Sequence, residues 1–114
     1  MKFYYNNKLI RTSKTHNYKY AVITASGRLL CCASSYDLAL KGIQTNTGTQ
    51  RSNLDFYKKE LDALNKGLNS FYITNRWGCN KFKVEHTREQ LESKIMDYEK
   101  WLQGIQIVEL EAKD

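Results

Sequence analysis

The sequence contains no proline, and together with its eight tyrosines this favours β-strands. Its longest apolar run, residues 29–33, is far shorter than the ~20 residues that cross a bilayer, so we expect no membrane partner. No apolar segment follows Met1 and Lys2, which predicts that no secretion signal is present. The three cysteines are an odd number and two are adjacent, as suits free thiols in a reducing cytoplasm.

Length and composition predict a single folded domain spanning residues 1–114. The hydrophobic fraction is 41% and the charged fraction 26%, which is ordinary for a globular protein. A disordered chain is therefore excluded.

Acidic residues are almost absent from the first half of the sequence. Residues 1–53 contain eight lysines or arginines and one acid, Asp37, whereas residues 54–114 contain ten bases and eleven acids. A localised positive field attracts phosphate-bearing or acidic partners. The alternative is a basic surface that is merely solvated.

The residue pattern predicts an α+β fold with an N-terminal antiparallel β-meander, two to three helices, a further β-hairpin and a C-terminal strand. Asn6 and Asn7 are candidates for the first turn, because Asn tolerates left-handed backbone conformations. The predicted strands are 3–12, which includes that turn, then 18–25, 28–33, 70–75, 81–86 and 105–110, with a turn over 76–80.

Capping residues and apolar stripes predict the helices. Thr87 with Gln90 has the spacing of a capping box, and Ser34 with Asp37 has a weaker version of it. The predicted helices run from residue 34 or 35 to about 44, from 53 or 54 to 66, and from 88 to 103. The polar segment 45–52 is predicted to be a loop, and one continuous long helix is the alternative.

The residue types that bind metals lack the spacing of a metal site. Cys31 and Cys32 are adjacent on a predicted strand, so they should point to opposite faces and not share an ion. Cys79, His16 and His86 add no recognisable pattern. We expect no metal and no cofactor.

No enzymatic motif is present. The sequence has no nucleophile elbow, phosphate-binding glycine loop or dinucleotide fingerprint. The acids of helix 88–103 alternate with bases, as on a solvated helix face. We expect a binding protein and not an enzyme.

Two segments interleave bases, aromatic rings and polar side chains without any acid, namely residues 11–20 and 71–81. Such segments offer charge-assisted hydrogen bonds to phosphate and rings for base stacking. The alternative is that the aromatic rings lie in the core, as strand alternation requires for about half of them. The predicted ligand-binding residues are Arg76, Phe71, Trp77, Asn80, Arg28, Arg51, Arg11 and Lys14.

Self-association is a further expectation. Met96 and Trp101 widen the apolar surface of helix 88–103 beyond one stripe, which favours a homo-oligomer, a dimer or higher. A helix that packs only within the monomer core is the alternative.

The opening segment, from Phe3 to His16, and the segment from Cys31 to Ala39 look like those of small proteins from phages and integrative elements of Gram-positive bacteria. The element order resembles the phage anti-Thoeris sponges, which sequester cyclic ADP-ribose signals in a pocket between subunits lined by aromatic, Asn and Arg residues. By residue type, Phe71, Asn80, Arg28 and Arg51 are the counterparts. The last helix departs from that family, since it has lysines at most basic positions.

The resemblance implies an anti-defence protein that sequesters a phosphorylated, cyclic nucleotide immune signal in the host cytoplasm. The first alternative is an anti-CRISPR protein that inhibits a Cas effector, a bacterial immune protein, by direct contact. The second is a small nucleic-acid-binding protein.

Overall fold

Three helices and eight strands make up the computed structural model, which describes residues 1–113, and every strand pairing within that range is antiparallel. The predicted α+β class is confirmed. The terminal residue of the predicted domain 1–114, Asp114, lies outside the described residues. The elements are β1 (Lys2–Tyr5), β2 (Lys8–Thr12), β3 (Tyr20–Ile23), β4 (Leu29–Ala33), α1 (Tyr36–Asn46), α2 (Gly48–Asn65), β5 (Ser70–Asn75), β6 (Gly78–Lys83), α3 (Arg88–Gln103), β7 (Gln106–Glu109) and β8 (Glu111–Lys113).

Contacts along the chain group into two compact units. The first unit comprises Met1–Gly48 and the chain from Trp101 onward, and the second comprises Thr49–Lys100. The first contains the sheets β2-β1-β8 and β4-β3-β7, and the second contains the two-stranded sheet β5-β6.

The strands of the first third form two hairpins in two different sheets, which corrects the single predicted meander. The free edge of β1 is taken by β8 and that of β3 by β7, so β2 and β3 do not pair. The first turn is as predicted, because Asn6 and Asn7 have φ of 49° and 63°. Pairings between distant parts of the chain therefore decided the sheet arrangement.

The predicted last strand, 105–110, is present as β7, and a further strand that was not predicted, β8, follows it. β7 joins β3, and the chain then passes to β8, which joins β1. At the junction, the backbone N–H of Leu110 donates to the carbonyl of Lys19 at 2.9 Å.

Strand β3 is buried on both faces, which explains its uninterrupted apolar sequence. Ala21 and Ile23 pack with Val108 on one face, and Val22 packs with Ala33 and Ala39 on the other. The adjacent cysteines of β4 follow the same alternation, since Cys32 joins the first cluster and Cys31 the second. The prediction that they point to opposite faces is confirmed.

The segment 45–52 is helical on both sides of Thr47, which corrects the predicted loop. Thr45, Asn46 and Thr47 each donate a side-chain hydrogen bond to the carbonyl four residues earlier, at 3.1, 2.7 and 2.6 Å. Thr47 ends α1, and α2 begins at Gly48. These polar side chains therefore form hydrogen bonds with backbone carbonyls in the last turns of α1.

The cap of α3 is the predicted residue, and the cap of α1 lies one residue after the predicted one. Thr87 Oγ1 accepts from the N–H of Gln90, and the side chain of Gln90 accepts from the N–H of Thr87, which confirms the predicted capping box. At α1 the cap is Ser35 rather than Ser34, because Ser35 Oγ accepts from the N–H of Leu38.

Strand β6 begins earlier than predicted, directly after a two-residue turn. The predicted turn 76–80 is replaced by Arg76 and Trp77 alone. Asn75 Oδ1 accepts from the N–H of Trp77 at 2.8 Å, and Gly78 adopts a φ of +130°. Only glycine takes that backbone conformation without strain, so Gly78 makes the tight turn possible.

Candidate functional site

The β5–β6 hairpin has one face packed against α2 and one face open to solvent. Phe71 lies opposite Phe82 in the strand register, and both rings contact Phe56 of α2, with centroids 5.1 and 5.0 Å from its ring. On the other face, Tyr72 is 60% exposed opposite the exposed Lys81. The hairpin therefore has an aromatic inner face that packs against α2 and a polar outer face that is open to solvent.

Phe71 is a core residue, which corrects its prediction as a stacking ring for a ligand. Its exposed fraction is 6%, because its ring packs against Phe56 and Phe82. Asn80, also predicted at the site, is exposed and shares the face of Phe82 by strand alternation.

The tip of the hairpin brings the two other predicted residues into direct contact. The guanidinium of Arg76 lies over the Trp77 ring, 4.9 Å from its centroid. Trp77 is 82% exposed, the most exposed of the large hydrophobic side chains. A guanidinium that lies over a ring still has N–H groups that can donate to an anion. The opposite ring face remains open to solvent.

The cations of the hairpin have no acidic partners, whereas lysines of α2 do. Residues 70–83 contain Arg76, Lys81, Lys83 and no acid, and none of the three forms an ion pair within residues 1–113. Lys58 and Lys59 of α2 pair with Glu99 and Asp55, and Lys66, directly after α2, pairs with Asp62, at 2.9 to 3.2 Å. The hairpin is therefore an uncompensated positive surface.

A cleft of about 390 Å³ lies beside the hairpin, between α2 and β5. Its volume falls within the range of small-molecule sites. Asn75 ends its lining on β5 and directly precedes Arg76, so the cleft adjoins the tip. Its lining residues are Ser52, Asn53, Asp55, Phe56, Lys59, Ile73, Thr74 and Asn75.

A second cluster of predicted binding residues lies in the first unit, around Tyr18. The Arg11 guanidinium is 5.6 Å from the Tyr18 centroid, and the His16 ring stacks on Tyr18 at 5.4 Å and 6°. Lys14 is exposed in the same loop. This cluster offers a cation and rings, but Tyr18 is already contacted by Arg11, His16 and Phe3.

The remaining predicted arginines lie in different units. Arg28 is exposed in the turn between β3 and β4, in the first unit. Arg51 lies near the start of α2 in the second unit, but it does not line the cleft. The cleft of about 250 Å³ in the first unit is lined by Glu109 and Glu111, whose charge opposes phosphate binding.

A buried carboxylate in the second unit was missed by the sequence analysis. Glu60 is 1% exposed and accepts hydrogen bonds from both the backbone N–H and Nδ1 of His86, at 3.1 and 2.9 Å. The pair holds the segment after β6 against α2, just before the cap of α3. The only sequence signal was that Glu60 directly precedes Leu61, which belongs to the apolar stripe of the second predicted helix.

The cysteines of β4 are poor nucleophiles. Burial raises the pKa of the Cys31 and Cys32 thiols, and the positive charge of Arg11 opposes this only in part. Protonated thiols are weak nucleophiles and weak metal ligands. Within residues 1–113 no three His, Cys, Asp or Glu side chains are grouped to hold a metal ion.

Comparison with protein-family models, curated proteins and solved structures finds no match to this chain. In the described part of the chain, no helix is long and apolar enough to cross a membrane. The site must therefore be interpreted from its own geometry.

Proposed function

We propose that this protein binds phosphorylated nucleotides at the tip of the β5–β6 hairpin and does not transform them. Arg76 donates to phosphate oxygens, and the open face of Trp77 stacks on the base. A guanidinium presents a planar fork that matches phosphate oxygens, and an exposed indole is a sequence-tolerant stacking surface.

The observation that carries the proposal is the Arg76–Trp77 pair itself. The guanidinium carbon lies 4.9 Å from the ring centroid, so the cation and the ring are already in contact before any ligand binds. Trp77 is left 82% exposed at a position where folding gains little from an indole. No acid in residues 70–83 competes for the guanidinium.

The cleft next to the tip supports the same ligand class. Its side-chain amides, from Asn53 and Asn75, match the edges of a base or the hydroxyls of a ribose. Asn53 already donates to the hydroxyl of Tyr98, which orients its amide.

The proposed biological role is sequestration of a phosphorylated, cyclic nucleotide immune signal, such as a cyclic ADP-ribose, by an anti-defence protein. That role follows from the resemblance of the element order to nucleotide sponges. The tip supplies the phosphate and base contacts that sequestration requires.

Calorimetric titration with cyclic ADP-ribose, ADP-ribose and adenosine monophosphate tests the proposal, with adenosine as the ligand that lacks phosphate. Arg76→Ala should weaken binding of the phosphorylated ligands at least tenfold, since a charge-assisted contact is worth more than about 1.4 kcal/mol. Trp77→Ala should cost about 1–3 kcal/mol of binding free energy.

The matched control is Lys66→Ala, which removes the same charge from the same unit but from an ion pair with Asp62. Its affinity should equal that of the wild type. None of these three substitutions should alter the unfolding midpoint, because all three side chains are exposed. Equal affinity of Arg76→Ala and the wild type would refute a phosphate contact at the tip.

A further inference from the structure

The positive surface of the hairpin extends from the tip along its outer face. Strand alternation places Tyr72, Lys81 and Lys83 on the face opposite Phe71 and Phe82. Tyr72 lies directly across from Lys81, and Lys83 lies across from Ser70 at the far end. All three side chains on this face are exposed.

This surface is longer than one nucleotide. From Gly78 to Lys83 the strand advances five residues, roughly 17 Å at ~3.4 Å per residue. Nucleotides of a stacked strand repeat every ~3.4 Å and unstacked ones are farther apart, so the face spans several nucleotides and at most about five. A mononucleotide at the tip leaves Lys81 and Lys83 without a phosphate.

The exposed rings distinguish a single strand from a duplex. Trp77 and Tyr72 are 82% and 60% exposed, at the tip and partway along the outer face. Stacking on such rings requires bases that are unpaired and accessible, as in single-stranded nucleic acid. A paired duplex presents its phosphates but covers its base faces.

We propose that the outer face of the β5–β6 hairpin binds single-stranded nucleic acid, with Trp77 and Tyr72 stacking on bases and Arg76, Lys81 and Lys83 contacting phosphates along the strand. This inference rests on the proposed function, because it takes the tip as the first nucleotide position and extends it along β6.

Fluorescence anisotropy with a labelled 12-nucleotide oligothymidylate tests the inference across a salt series. Three phosphate contacts on a single strand predict a slope of log K against log salt of about −2. Lys81→Ala and Lys83→Ala should each make the slope about 0.7 shallower. Lys66→Ala, whose lysine is paired with Asp62 of α2, should leave the slope unchanged.

Tyr72→Ala separates the outer face from the tip. It should weaken binding of the 12-mer about fivefold or more and leave binding of thymidine monophosphate unchanged. Circular dichroism of each variant verifies that the hairpin and helices remain folded.

The outcomes distinguish this inference from the proposed function. If thymidine monophosphate binds as tightly as the 12-mer, or Lys81 and Lys83 do not affect the slope, the strand proposal is wrong and the nucleotide site at the tip stands. Equal or tighter binding of a 12-base-pair duplex also refutes the single-strand proposal. If the 12-mer does not bind but the phosphorylated ligands of the calorimetric titration do, only the strand proposal fails, and if none of these ligands binds, both proposals fail.

Discussion

The β1–β2 and β5–β6 hairpins are both closed by two-residue turns. The backbone conformation accounts for the residue types at the first turn but not for those at the second. Asn6 and Asn7 occupy left-handed conformations that asparagine tolerates. At the other tip the positive φ belongs to Gly78, and neither Arg76 nor Trp77 has one. The turn therefore needs Gly78 and the Asn75 side chain, and it does not need an arginine or an indole.

The two hairpins also differ in how far other strands of their own unit cover them. The β1–β2 hairpin belongs to a three-stranded sheet in which β8 covers the second edge of β1. The β5–β6 hairpin is a sheet of two strands, and its outer face is open. A residue that the local structure does not require, on a surface that nothing in its own unit covers, is best explained by a ligand.

The largest expected effects concern the inner faces, where the two hairpins should behave alike. Phe3 is fully buried on β1 and Phe71 nearly so on β5. Phe3→Ala and Phe71→Ala should each lower the free energy of unfolding by about 3–5 kcal/mol, since a large buried ring leaves a cavity. Chemical denaturation measures both.

Phe71→Leu serves as the milder control and should lose less stability than the alanine variant. An unchanged unfolding midpoint in Phe71→Ala would break the comparison. Phe71 would then be a candidate for the stacking role from which its burial excludes it.

The second expected effect separates the two tips. Replacing Arg76 by Asn and Trp77 by Gly together should weaken nucleotide binding more than tenfold, because both the phosphate fork and the stacking surface are removed. Stability should be nearly unchanged, since both side chains are exposed. Parallel calorimetry and thermal unfolding provide the two readouts.

The reciprocal variant, Asn6→Ala, gives the smallest effect and the opposite pattern. Alanine at a φ of 49° should cost about 1 kcal/mol of stability without a change in ligand affinity. A loss of affinity at the Asn6 tip would show that the two hairpins are not functionally distinct.

Local interactions made part of the fold predictable from the sequence. The Asn6–Asn7 turn and the Thr87–Gln90 capping box depend on residues within three positions of each other, and both are present as predicted. The pairing of β8 with β1 and of β7 with β3 joins opposite ends of the chain. No local pattern encodes which distant edge a strand will take.

The candidate site was predictable in its chemistry and not in its boundaries. Alternation required one of Phe71 and Tyr72 to be inward, but only contact with Phe56 showed which. The basic character of the hairpin was visible in the acid-free segment 71–81, although acids elsewhere offset it in the sum over residues 54–114. Glu60 could not be assigned, since its partner His86 is 26 residues away.

The central claim is that Trp77 contacts the ligand, and its own fluorescence tests this most directly. The chain has two tryptophans, so Trp101→Phe leaves Trp77 as the sole indole emitter. Titration of that variant with the 12-nucleotide oligothymidylate should give saturable quenching with the dissociation constant found by anisotropy. Emission from Trp77 that stays constant while anisotropy reports saturation of the 12-mer would contradict the account.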